Sequence, residues 1–188
     1  MGECVKMNQK NKLVVLDLDA TLISAQSLSS YDRNENRKKA SKFDKKFTMD
    51  DYYEVFARPN LDVFLDFVFA NFRVAVWTAA SQLYASSVID NLILTKPNRV
   101  LEFILFDYHN EDSKKRGRGT KDLDLLTSFY NVQVDPKNVI IIDDFNDVCA
   151  VNPKNSLRAR YFDFKKRNSW NDKFLLNAIP KLRRFARK

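Results

Sequence analysis

The stretch Leu13-Val14-Val15-Leu16-Asp17-Leu18-Asp19-Ala20-Thr21-Leu22 runs an apolar tetrad straight into two carboxylates one residue apart. The tetrad predicts a buried strand, and residues i and i+2 of a strand share a face. In open parallel sheets, ligands bind beyond the carboxyl ends of the strands. Two like charges at such a place need a cation. Aspartate oxygens suit Mg²⁺, and Mg²⁺ held by one or two carboxylates commonly takes phosphate as a further ligand. The pattern points to phosphoryl chemistry, with Asp17 as nucleophile and Asp19 as its acid/base partner. Solvated acids closing an ordinary strand would give the same pair, so the rest of the chain decides.

Further apolar runs occur at Arg73–Trp77, Phe103–Phe106, Val139–Ile142 and, more weakly, Ala159–Phe162, each short enough for a buried strand. Helical spacing lies between them. It covers Leu61, Phe64, Leu65, Val68 and Phe69 after Arg58-Pro59, where proline suits a first turn, then Leu83 to Leu94 and Leu123 to Tyr130. Strands alternating with helices predict right-handed crossovers and an α/β fold, a three-layer doubly wound parallel sheet. Residues 24–51, polar and rich in Lys and Arg, form a small insertion after the first strand, expected to be a flap or cap. Glu111 to Lys121 contains Lys114-Lys115-Arg116-Gly117-Arg118-Gly119 and reads as a mobile basic loop. Trp170 with Asn171 to Ile179 reads as a closing helix, and the basic tail Lys181 to Lys188 as the end of an amphipathic one.

With 188 residues, 45% hydrophobic and including 15 Phe, the chain can bury one good core, so 1–188 is expected to be a single domain. The phenylalanines are more economically core packing than a base-stacking platform. Lys and Arg number 32 against 24 Asp and Glu, a net charge of +8 that favours anionic partners: phosphoproteins or phosphopeptides, nucleic acid, or an acidic tail. Cys4 and Cys149 are too few for a disulfide framework and lack zinc spacing, which suits an intracellular setting, cytoplasmic or nuclear. No segment reaches the roughly 18 apolar residues of a membrane span, so no membrane partner is expected. His109, the single histidine, sits beside acids in an expected loop without a second histidine to ligate with.

The aspartate pair has companions. Thr78-Ala79 follows the second strand, just before a helix expected near Ser81, where a hydroxyl and free N–H groups can hold phosphate oxygens. Capping is the commoner duty of such residues. Lys121, at a helix entrance, could neutralise carboxylate and phosphate together, although a lysine so placed is more often a solvated surface residue. Ile140-Ile141-Ile142 empties into Asp143-Asp144, repeating the first strand's pattern, and these acids read as metal ligands. Asp147, a turn further on, is explained by the helix dipole alone.

The order D-x-D-x-T, strand-Thr, Lys, strand-Asp-Asp resembles the haloacid dehalogenase superfamily of aspartate-nucleophile phosphatases. Asp17-Leu18-Asp19-Ala20-Thr21-Leu22, Arg58-Pro59, Thr78-Ala79, Lys121-Asp122-Leu123 and Asn152-Pro153-Lys154-Asn155 together resemble its FCP/SCP group, small phosphatases acting on phosphoserine in the RNA polymerase II C-terminal repeat domain and related proteins. The resemblance runs from about Lys12 to Phe185. It implies that Asp17 forms an aspartyl-phosphate, while Asp19 protonates the leaving hydroxyl and then activates water. It implies that Thr78, Ala79 and Lys121 hold phosphate, and that Mg²⁺ is bound by Asp17, the main-chain carbonyl of Asp19, Asp143 and Asp144. The group usually carries Glu at the position of Ala20 and Asn at that of Asp144. Two other readings remain at this point: the same chemistry on a nucleotide or polynucleotide end, and a catalytically silent module binding phosphorylated or nucleic-acid partners. The intact set of charged groups argues against silence.

Overall fold

The computed structural model describes residues 11–29 and 33–187, so Cys4 and Lys188 lie outside the described residues. Strand β1 (Leu13–Leu16) is the middle of five parallel strands. On one side it pairs with β5 (Arg73–Trp77), which pairs in turn with β6 (Ile104–Leu105). On the other it pairs with β7 (Val139–Asp143), followed by β8 (Ser156–Arg158). Successive residues of β1 face opposite cores. Val14 and Leu16 join Val74, Val76 and Ile142 against α2 (Leu61–Asn71), α3 (Gln82–Val88) and α7 (Phe174–Ala186) through Leu65, Val68, Ala85 and Leu175. Leu13 and Val15 join Ala75, Trp77, Val139 and Ile141 against α5 (Asp124–Ser128) and α6 (Asn146–Val151) through Leu126 and Val148. Strands apolar on both faces belong to a sheet covered twice, and the fold is the expected doubly wound α/β type.

The described residues of 24–51 hold regular structure that a flap read from charge would lack. Strands β2 (Ile23–Ser27), β3 (Lys46–Met49) and β4 (Tyr53–Ala57) form an antiparallel sheet in the order β2-β4-β3, and α1 (Arg33–Ala40) sits between β2 and β3. Val55, Phe56 and Ala57 of β4 are all buried, so that strand is covered on both faces and lacks the alternation of polar and apolar residues that would mark it in the sequence. The sheet is seated by Phe56, whose ring stacks on Phe164 with centroids 4.0 Å apart, and by Phe43 packed edge-on to both.

Several boundaries correct the sequence reading. The fifth strand is Ser156–Arg158 rather than Ala159–Phe162, because β7 offers no ladder beyond Asp143; the chain instead crosses the end of β1, with Phe162 N–H donating to Ala20 O at 2.7 Å. Glu111 to Lys115 is not loop but the last part of α4 (Asp107–Lys115), which ends before Gly117 (φ +67°) and Gly119 (φ +80°). His109 therefore lies in a helix, where its Nδ1 accepts the Phe106 N–H at 2.9 Å. Pro59 precedes the first turn of α2, whose N-cap is Asn60 in a left-handed conformation. Past Val88 the third helix continues as a π turn (Ile89–Ile93). Trp170 sits in a 3₁₀ turn (Ser169–Asn171), and the closing helix starts at Phe174, taking in the basic tail as far as Ala186. No helix among the described residues is long and apolar enough to cross a membrane.

Arg58 explains how β4, the 3₁₀ turn and β1's outlet are locked together. Its fully buried guanidinium donates to both carboxylate oxygens of Asp172, at 2.8 and 3.0 Å, and to Thr21 O at 2.9 Å. Burial pulls the Asp172 carboxyl upward, but the hydrogen bonds from Arg58 and the Phe174 N–H outweigh it and hold the group below its ordinary 3.8. A depressed carboxyl stabilises the fold above the unfolded value and loses that contribution as pH falls through the folded one. Asp172→Asn should cost about 3 kcal/mol at neutral pH, since it leaves a buried guanidinium short of a counter-charge. Urea midpoints measured from pH 6 down to pH 3 should fall less steeply in the variant than in the wild type; parallel curves would remove the pair from the acid sensitivity.

Candidate active site

Three neighbouring strands deliver the candidate residues to one end of the sheet. Asp17 continues β1 by one residue, its N–H donating to Ile142 O at 3.0 Å. The chain then turns sharply: Leu18 O accepts from the N–H groups of Thr21, Leu22 and Ile23, and Ala20 adopts φ 58°. Thr78 follows β5, its N–H bonded to Leu105 O at 2.9 Å and its hydroxyl accepting from Ala80 N–H at 3.1 Å. Asp143 closes β7 and Asp144 comes next. A cavity of about 660 Å³ collects Asp17, Asp19, Thr78, Ala79, Lys121, Asp143 and Asp144. A slightly larger cavity of about 730 Å³ lies around Arg58, Asp172 and Trp170, but its two buried charges already satisfy each other.

The electrostatics centre on one lysine. Lys121 is buried, and its Nζ donates to Asp17 Oδ1 at 2.6 Å and to Asp143 Oδ2 at 2.7 Å. Burial disfavours its charge, yet Asp17 and Asp143 prevail and raise its pKa, so it stays an ammonium. Burial pushes the Asp17 carboxyl up to about 7; Lys121 opposes the rise and Asp143 adds to it. Asp19 is raised mainly by burial, against the Tyr84 hydroxyl, which donates to Asp19 Oδ1 at 2.7 Å. Asp144 is also raised by burial and by Asp143, and accepts from Thr21 Oγ1 at 3.3 Å. Four carboxylates thus share one buried ammonium.

Carboxylate oxygens of Asp17, Asp143 and Asp144 all lie within 4.8 Å of one another. Three hard oxygen donors around a surplus of negative charge fit a divalent cation such as Mg²⁺. The Asp19 carboxylate is turned to Tyr84 instead and stands outside that group. Asp147 lies exposed in the first turn of α6, where the dipole accounts for it.

Two contributors escaped the sequence reading. Tyr84 comes three residues after Ser81, one turn into the helix expected there, and that spacing was the signal available. Asn152, quoted only as part of a motif, clamps the lysine loop: its Oδ1 accepts the Leu123 N–H at 3.0 Å, and its Nδ2 donates to Lys121 O at 2.9 Å and Val148 O at 2.8 Å. Lys121 itself has φ 54°, a conformation a non-glycine residue keeps only when its surroundings hold it there. Ser113 Oγ donates to Gly119 O at 2.5 Å, and a Cβ on Gly119 would come within 2.7 Å of Val151. The loop therefore lies tight against α6, the helix that begins just past Asp143-Asp144.

Comparison with known proteins adds independent findings. A family model described as NLI interacting factor-like phosphatase matches residues 12–188. CTD phosphatase-like protein 355R of Invertebrate iridescent virus 3 is 39% identical over 184 residues, covering 95% of this chain and 98% of that protein. CTD nuclear envelope phosphatase 1 of Xenopus laevis is 28% identical over 180 residues, covering 92% of this chain and 66% of that one. The solved structure of Fcp1, an essential RNA polymerase II CTD phosphatase, shares the fold with a TM-score of 0.57 at 21% identity, over 95% of this chain and 52% of that chain. This chain spans about half the length of that Fcp1 chain.

Proposed function

The chain belongs to the NLI interacting factor-like phosphatases, within the haloacid dehalogenase superfamily, and from that premise we propose that it removes phosphate from serine or threonine in a protein substrate, inside the cell. The observation that carries the reading is the ammonium of Lys121 shared between Asp17 and Asp143 at 2.6 and 2.7 Å. A phosphoryl group brought against Asp17 would meet that ammonium, the Thr78 hydroxyl and the main-chain N–H of Ala79. These groups spread over the non-bridging oxygens and position phosphorus.

In this mechanism an Asp17 carboxylate oxygen forms a bond to phosphorus as the bond to the serine oxygen breaks, and the Asp19 carboxyl gives its proton to that oxygen. Asp19, now a carboxylate, takes a proton from water, whose oxygen attacks phosphorus and frees Asp17. Tyr84 keeps Asp19 oriented between the two steps. Mg²⁺ would be held by Asp17, Asp143, Asp144 and the main-chain carbonyl of Asp19, and when bound it would supply positive charge against the transferred group. The three-stranded sheet belongs to the same domain in this reading, supported by Ala25, Met49 and Tyr53, which line a cavity together with Asp19 and Tyr84.

The test is phosphate release from an aryl phosphate and a phosphoserine peptide, after EDTA and after Mg²⁺ is restored. Both substrates should be hydrolysed, only with the metal. Release that survives EDTA would remove the metal, release from nucleotides alone would reassign the substrate, and no release from any of them would sink the reaction. Asn152→Ala should lower turnover by on the order of tenfold or more by letting Lys121 drift, and cost about 2 kcal/mol of stability through stranded hydrogen-bonding groups. In a Lys121→Ala background the same change should lower turnover little further. Additive losses would make Asn152 merely structural.

A further inference from the structure

Residues 158–167 read Arg-Ala-Arg-Tyr-Phe-Asp-Phe-Lys-Lys-Arg. Ala159, Phe162 and Phe164 are buried, which turns Arg158, Arg160, Tyr161, Lys165, Lys166 and Arg167 to solvent. Two main-chain bonds tie this strip to the candidate site. Ala159 N–H donates to Asp143 O at 2.7 Å, and Phe162 N–H donates to Ala20 O at 2.7 Å, one residue past Asp19. The first half of the strip therefore runs along the rim of the acidic centre, and the second half leaves it beside β2, where Phe164 N–H donates to Ser24 Oγ at 3.3 Å and Lys165 Nζ to Gln26 Oε1 at 2.7 Å.

Its charge is only weakly compensated among the described residues, Arg160 acting at longer range on Asp172. None of its five cations forms an ion pair with a described carboxylate, although Arg58, Arg73, Lys96, Arg99 and Arg118 all do so elsewhere. The strip's one acid, Asp163, accepts the Lys165 N–H at 2.9 Å and offsets only one of the five positive charges. A positive track without close ion pairs, bordering a reaction centre, raises the local concentration of anionic chains.

We propose that this strip docks an acidic or further-phosphorylated segment of the same protein whose phosphoserine or phosphothreonine enters the site, an inference that rests on the protein-phosphatase reading above. A single-stranded nucleic acid fits less well. Base stacking uses a series of free aromatic faces, and the strip offers a single exposed ring, Tyr161, one face of which carries the Lys166 ammonium 4.4 Å from its centroid. An extended peptide covers about 13 Å in four residues, so side chains from the fourth position outward can reach past the rim and along the strip.

The experiment compares phosphopeptides of equal length whose residues from the fourth position outward are either Asp, Glu and phosphoserine or Ser and Gln. At low salt the acidic-flanked peptide should have a kcat/KM roughly tenfold higher, carried in KM, as expected for a few surface charge contacts. That advantage should shrink towards unity in about 0.5 M salt, where screening is short-ranged, and in Arg160→Ala/Arg167→Ala protein at low salt. Equal kcat/KM for the two peptides, or an advantage that survives the double substitution, would overturn the proposal. Fluorescence anisotropy with an unphosphorylated acidic peptide gives an arm independent of turnover: binding should weaken in the double variant, and unchanged binding would count against the strip even if no substrate is hydrolysed. Aryl phosphate turnover by the wild type tests the reaction separately. An oligonucleotide that binds more tightly than an acidic peptide of equal charge, and is released by the same substitutions, would overturn the protein partner in favour of nucleic acid.

Discussion

Asp17→Asn should abolish phosphate release from aryl phosphate and phosphopeptide alike, a loss of at least about 10⁴-fold, because an amide cannot replace the carboxylate nucleophile. The fold should survive it. The side chain is nearly isosteric, the Asp17 N–H bond to Ile142 O is main-chain, and Lys121 keeps Asp143 as a partner. The same variant carries a sign that runs against ordinary loss of stability. Burial, then Asp143, push the Asp17 carboxyl up to about 7 from 3.8, with Lys121 opposing. A carboxyl raised on folding contributes stability below its unfolded value and loses it as pH rises through the folded one. Asn is spared that loss. Without metal, the variant should melt above the wild type at pH 8, and the gap should narrow at pH 5. Turnover near the wild-type rate would refute the nucleophile; a variant melting below wild type at pH 8 would refute the electrostatic account.

Asp19→Asn should divide substrates by their leaving group. Serine leaves as a poor alkoxide and needs the proton that Asp19 supplies, so the phosphopeptide should lose about 10²- to 10⁴-fold in the first step. An activated aryl phosphate leaves without help and should lose much less. Tyr84 can still donate to the remaining carbonyl oxygen, so orientation is preserved and the missing proton is isolated as the cause. Transient kinetics of the two substrates decide it. Equal losses would remove Asp19 from the role of acid.

The strands on either side of β1 were legible because parallel strands buried on both faces must be apolar, and Leu13–Leu16, Val74–Trp77 and Val139–Ile142 are. Asp17, Thr78 and Asp143 were legible for the same reason: each breaks an apolar run at its outlet. Lys121 was harder. Its burial and left-handed backbone depend on Asn152, Gly119 and Val151, contacts that no local pattern announces. The insertion sheet was read only as charge, since its strands are short, Val55 to Ala57 is buried without alternation, and the partners of Phe56, Phe162 and Phe164, lie over a hundred positions away. The Ala159–Phe162 segment was misassigned because extended, half-apolar sequence looks the same whether it pairs in a sheet or crosses the end of one.

The exposed turn Arg116–Arg118, after α4, lies between the two halves of the candidate site. A trypsin-like protease nicking there would leave Asp17, Asp19 and Thr78 on one fragment, with β6, β5 and β1, and Lys121, Asp143 and Asp144 on the other, with β7 and β8. Nucleophile and counter-charge would then belong to separate molecules, joined through the four-residue register of β1 on β7 and the cores to either side. Reconstitution of a severed chain would thus be readable at its chemical centre, since neither piece alone holds both members of the Asp17–Lys121 pair.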